Sequence, residues 1–87
     1  MTKKIFAIYD EKAEAYLQPF FLDTMPLAIR MIGDLLQQPE HNFAKHPSDY
    51  TLFLIGEFDE STSKIESFKT CVANFVELTN YPLAPEE

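Results

Sequence analysis

Cysteine, glycine and positive charge are all scarce in this chain. A lone cysteine, Cys71, rules out an internal disulfide. Only Gly33 and Gly56 are present, so no glycine-rich loop exists to cradle a phosphate. Seven basic residues stand against fourteen acidic ones, for a net charge of −7 and a pI near 4.6. That balance works against nonspecific attraction to nucleic acid or to an anionic membrane. No apolar run approaches the roughly 20 residues that span a bilayer. The basic opening MTKKIFAIYD carries too short an apolar run for the core of a signal peptide. A soluble, cytoplasmic protein with no membrane partner is expected.

What the chain does have is bulk. Hydrophobic residues make up 46% of its 87 positions, with eight Phe and four Tyr among them. That is enough for one domain with a real core, although a domain this small buries only about 60–65% of its unfolded surface. Self-association would add to the burial. The expected division is a single domain over residues 1–79 and an acidic, Pro-containing tail over 80–87.

The clearest strand is Tyr50-Thr51-Leu52-Phe53-Leu54-Ile55, a β-branched and aromatic run too apolar for exposure on either face, and it is expected at the centre of a sheet. Lys3 to Tyr9 reads as a second internal strand, with Ile5, Ala7 and Tyr9 on one face and Phe6 and Ile8 on the other. Pro19 interrupts AEAYLQPFF, which is expected to fold irregularly over the sheet. A helix follows over Thr24–Gln38. Asp23 or Thr24 caps it, Pro26 falls in its first turn, and Ala28, Met31, Ile32, Leu35 and Leu36 form the buried stripe. Pro39 ends it. After a polar turn at Glu57–Lys64, Lys64–Phe68 pairs back on the central strand as a hairpin. Residues 69–79 fit either a helix or a strand. The fold class is α+β: a mainly antiparallel sheet of three or four strands with the one helix on one face.

Residues that could carry chemistry are few. His41 and His46 stand five apart across a loop, with Glu40, Asp49 and Cys71 as conceivable company for zinc. Zinc sites use tighter paired spacings on a defined element, so solvated or capping histidines are expected and no metal. Glu57, Asp59 and Glu60 read as a solvated turn, since catalysis needs carboxylates converging in a cleft. Cys71 among Phe68, Val72 and Phe75 reads as a buried, inert thiol. No enzymatic activity and no cofactor are expected. For single-stranded DNA, the candidate phosphate contacts are Lys3, Lys4, Lys12 and Lys45, and the candidate stacking residues are Tyr9, Tyr16 and Phe20.

Four stretches in order, KIFAIYDEKAEAYLQPFF, LAIRMIGDLL, PEHNFAKHPSDYTLFLIGEFDESTSKI and VANFVELT, resemble the small nonstructural protein of gokushovirus-type Microviridae, icosahedral single-stranded DNA bacteriophages. IYDEKAEAYLQPF and KHPSDYTLFLIGEFDE are the most specific of these. The resemblance implies a protein of the infected host cytoplasm, absent from the virion, that helps turn viral DNA synthesis towards packaging. Such proteins are often labelled DNA-binding, and the resemblance supplies no catalytic residues.

Three functions follow as expectations. The first is a phage accessory protein that contacts basic regions of a replication initiator or a procapsid, as a homodimer. The second is direct single-stranded DNA binding through the residues named above. The third is an acidic decoy of a host DNA-binding protein, which requires Asp10, Glu11, Glu14, Asp59 and Glu60 to lie on one face.

Overall fold

The computed structural model describes residues 1–79; the expected tail at 80–87 lies outside them. Strand β1 (Thr2–Asp10) runs antiparallel to β4 (Tyr50–Asp59), and β4 to β5 (Ile65–Asn74). On its other side β1 pairs with two short strands in tandem, β2 (Ala15–Tyr16) and β3 (Phe20–Leu22). The sheet therefore has five strands, two of them short, and β1 and β4 share its centre. Pro19 has no amide hydrogen to donate, and it lies in the gap between β2 and β3. The segment expected to be irregular is in this way split into two edge strands.

Helix α1 (Met25–Leu36) begins where Thr24 accepts the Leu27 N–H at 3.3 Å, with Pro26 in the first turn. Its buried residues are Ala28, Ile32 and Gly33, while Met31, Leu35 and Leu36 are half-buried. A short helix α2 (Asn42–Lys45) and a single 3-10 turn (Pro47–Asp49) lead into β4. The choice left open over 69–79 resolves into both alternatives: β5 continues to Asn74, then α3 (Phe75–Thr79) turns back over the sheet. Asn74 starts that turn, its side-chain oxygen accepting the Val76 N–H at 2.9 Å.

The core lies between the sheet and the helices. Phe6, Ile8, Leu52 and Leu54 face Ala28, Ile32, Phe75 and Leu78. Phe6, Ile32, Leu52 and Phe75 are completely buried, and among the described residues no polar or charged side chain is. Phe43, Tyr50 and Phe75 pack at ring separations of 4.7–5.8 Å and anchor α2 and α3 together. Full burial of such a ring is worth roughly 1.5–3 kcal/mol, and Phe75 is the fully buried member of the three.

Residues directly opposite in an antiparallel ladder share a face. The Phe6–Leu54 and Ile8–Leu52 pairs point to the helices, and the Ala7–Phe53 and Lys3–Phe58 pairs point away. Tyr16, opposite Tyr9, and Phe21, opposite Ile5, join the second set. Among the described residues no helix lies on that second face, and the molecule is only 19 Å thick. One sheet and one helix layer, each about 10 Å, account for that thickness. The expectation that Tyr50–Ile55 is covered on both sides therefore holds for one side only: Leu52 and Leu54 are buried, Phe53 and Ile55 half-buried.

Candidate functional site

The uncovered sheet face is the candidate site. Its residues come from all five strands, because a β-strand that is apolar at every position must present apolar groups on both sides. Tyr9 and Tyr16 meet edge to face at 4.9 Å, Tyr16 and Phe53 at 5.8 Å, and Phe21 and Phe58 at 5.9 Å. Ile5 and Ala7 lie beneath these rings and are buried. The small side chain of Ala7, with Ile55, floors an open groove of about 730 Å³. Tyr16, Leu17 and Pro19 wall it on one side and Ser67, Phe68 and Lys69 on the other. Tyr16, Phe21, Ile65 and Phe68 are exposed, Ile65 at 59% and Phe21 at 50%.

Charge is distributed unevenly about this face. In the ladder, Asp10 lies opposite Tyr50 and Glu57 opposite Lys4, which places the strand carboxylates on the helix side. Glu66, opposite Glu57, joins them. The apolar face of a protein with net charge −7 thus has no strand carboxylate, and its central charge is the Lys69 ammonium. That group sits 5.1 Å from the Tyr16 ring centre and 5.0 Å from that of Phe53, within cation–π range.

The candidate DNA contacts are dispersed by this arrangement. Lys3 lies at one end of the face and is held by Asp23 at 2.6 Å and Glu60 at 3.5 Å. The Asp23 hydrogen bond and the attraction of both carboxylates raise its pKa. Lys4 lies on the helix side, paired with Glu57 at 3.3 Å. Lys12 is exposed in the β1–β2 turn and Lys45 is exposed at the end of α2. Tyr9 and Tyr16 do share the uncovered face. Phe20 does not: it stacks on Phe6 at 5.7 Å on the core side. Lys69 and Phe53, which the structure brings together with Tyr16, were absent from the candidate set. The available signal was Phe53-Ile55 alternating with Leu52-Leu54, an apolar second face with a lysine in the partner strand.

The other candidates take structural positions. The His41 imidazole Nδ1 accepts the Phe43 N–H at 3.1 Å and caps α2. Among the described residues no three His, Cys, Asp or Glu side chains converge as a metal site would require. Asp59 closes the β4–β5 turn, accepting from the Ser61 N–H at 2.9 Å and the Ser61 hydroxyl at 2.7 Å. Those bonds hold its carboxyl below the usual range. Cys71 is exposed, against the expectation of a buried thiol. The reason is that β5 is an outer strand, so the apolar neighbours of Cys71 in sequence do not enclose it.

The acidic array also comes apart. Asp10, Glu11 and Glu14 lie at one end of β1, whereas Asp59 pairs with Thr2 at the other end, with Glu60 beside it. Eight residue steps of extended chain separate the two groups by roughly 26 Å. The five carboxylates thus form two separate clusters at opposite ends of β1.

These features define a two-layer α+β domain whose sheet is packed on one side and open, aromatic and free of strand carboxylates on the other. The chain belongs to the Phage ORF5 protein family, which it matches over residues 3–78. No curated protein and no solved structure matches it. Among the described residues no helix is long and apolar enough to cross a membrane.

Proposed function

We propose that this phage protein is a nonstructural accessory factor of the gokushovirus type, serving single-stranded DNA replication and genome packaging through protein contacts rather than catalysis. It works in the cytoplasm of the infected cell and stays out of the virion. The observation that carries this reading is the uncovered sheet face. A contiguous apolar surface of this kind marks an interaction site, and the absence of strand carboxylates there lets an acidic protein approach others by that side. The replication initiator and the procapsid are the expected partners. Binding of the purified initiator and of procapsids to the protein and to its Phe21→Lys and Ile65→Lys variants tests the reading. Weaker binding by the variants supports it; binding unchanged by either substitution refutes it.

A second reading, direct single-stranded DNA binding, is favoured by one observation, the Lys69 ammonium beside the Tyr16 and Phe53 rings. Aromatic stacking with a nearby cation is how sequence-tolerant single-strand binders work. Against it, Lys3 and Lys4 are already neutralised by carboxylates. Fluorescence anisotropy with a labelled single-stranded oligonucleotide, with a duplex control, separates the two. Micromolar binding that prefers the single strand, survives physiological salt and is lost in Lys69→Glu upholds the DNA reading. No binding at low salt, where phosphate attraction is strongest, eliminates it.

A further inference from the structure

We propose that a second copy of this chain covers the uncovered sheet face, so that two domains pack sheet to sheet as a four-layer homodimer with the helices outside. The inference rests on reading that face as a protein-contact surface: the second copy covers it until an initiator or procapsid takes its place.

Layering is the first argument. A sheet that is apolar on both faces needs a layer on each, and here the helices supply one. The second is area. Four strands abreast at about 4.8 Å spacing and roughly 30 Å long present on the order of 600 Å² per copy, or about 1,200 Å² for a pair. That reaches the lower end of what stable specific interfaces bury.

Charge is the third argument and sets the orientation of the pair. Two chains of −7 each repel, and the sheet face is the side on which they meet without opposed strand carboxylates. Lys69 starts on the outermost strand, and its ammonium reaches inward over the Phe53 and Tyr16 rings, whose faces offset its charge within the contact. Extension of the sheet through the outer edge of β5 is the competing geometry. It is blunted by two register shifts in the β4–β5 ladder, since such irregularities bend an edge away from further pairing.

The test is sedimentation equilibrium or light scattering of the full chain up to millimolar concentration. The expected mass is about 20 kDa, twice the 10.1 kDa of one chain. Phe21→Lys and Ile65→Lys, both at exposed positions, raise the dissociation constant on the order of 100-fold and give about 10 kDa with an unchanged circular dichroism spectrum. Leu27→Lys and Val76→Lys replace exposed apolar residues on the helix side and remain dimeric. Added salt leaves the dimer intact or tightens it by screening the mutual repulsion, the opposite of phosphate binding. A parent protein that stays near 10 kDa throughout, or sheet-face variants that still dimerise, overturns the proposal. If the parent is monomeric but Phe21→Lys still loses initiator or procapsid binding, the second copy is wrong and the contact-surface reading stands. If the dimer is lost in Phe21→Lys and that binding is untouched, the dimer stands and the reading falls.

Discussion

Phe75→Ala and Phe21→Ala remove the same benzyl group from opposite sides of the sheet, and the architecture requires very different costs. Phe75 is fully buried and packs on Phe43 at 5.0 Å and Tyr50 at 5.8 Å. Its loss forfeits transfer energy and leaves a cavity that the rigid sheet cannot close, about 3–5 kcal/mol. Phe21 is 50% exposed and touches mainly Phe58 at 5.9 Å. Half a side chain of burial and one edge contact come to about 1–3 kcal/mol. A domain of this kind has roughly 5–15 kcal/mol in total, so Phe75→Ala removes between about a fifth and all of it. Phe21→Ala lowers Tm by about 4–8 °C for each kcal/mol it costs. Urea titrations followed by far-ultraviolet circular dichroism at low micromolar protein measure both. Equal costs for the two substitutions at that dilution would refute the reasoning, because they would mean that the sheet's second face is covered within one chain. If two copies pair as proposed, the Phe21→Ala cost grows with protein concentration, since dimerisation adds stability by mass action.

Three further outcomes are expected. Thr24→Ala removes the α1 cap and costs about 1 kcal/mol, read as a Tm shift with unchanged oligomeric mass. Gly56→Ala places a methyl group 2.6 Å from the Glu66 carbonyl oxygen; the β4 and β5 backbones must separate, costing about 1–3 kcal/mol in the same titration. The pH dependence has two limbs. Lys3 is raised by its Asp23 hydrogen bond, and Tyr50 is raised by burial and by the charges of Asp10 and Asp49. The folded state therefore holds both protons more tightly than the unfolded chain. Their contribution is complete below the ordinary values of 10.5 and 10.0 and is lost as pH rises through the folded ones. Asp59 is lowered by its bonds from Ser61, so its contribution is present above the ordinary 3.8 and lost as pH falls through its folded value. A Tm that stays level from about pH 9 to about pH 12 would contradict the alkaline limb.

Much of the architecture is written in local pattern. The helix boundaries follow from a capping threonine, a first-turn proline and apolar residues three and four apart. The hairpin follows from the polar run Glu57–Lys64 between two apolar runs, although β4 continues through Glu57–Asp59 and the turn itself begins at Glu60. These signals are legible because they depend on neighbours within a few residues. The β2–β3 split was not legible, since it depends on Pro19 falling opposite a gap in the β1 ladder. Nor was the switch from strand to helix at Phe75, where the pattern TCVANFVEL suits both states and the packing of Phe75 on Phe43 and Tyr50 decides.

The site shows the same division more sharply. Sequence alone determined that β1 and β4 are apolar on both faces, that the chain is acidic and that its lysines are scattered. Tertiary structure decided which face the helices cover, and so which aromatics form core and which form surface. It sent Phe20 inward and Phe21 outward, joined Lys3 to Asp23 across twenty residues, and left Cys71 in the open on an outer strand. Alternation fixes only that neighbouring side chains point to opposite sides; which side meets another layer depends on where distant elements dock.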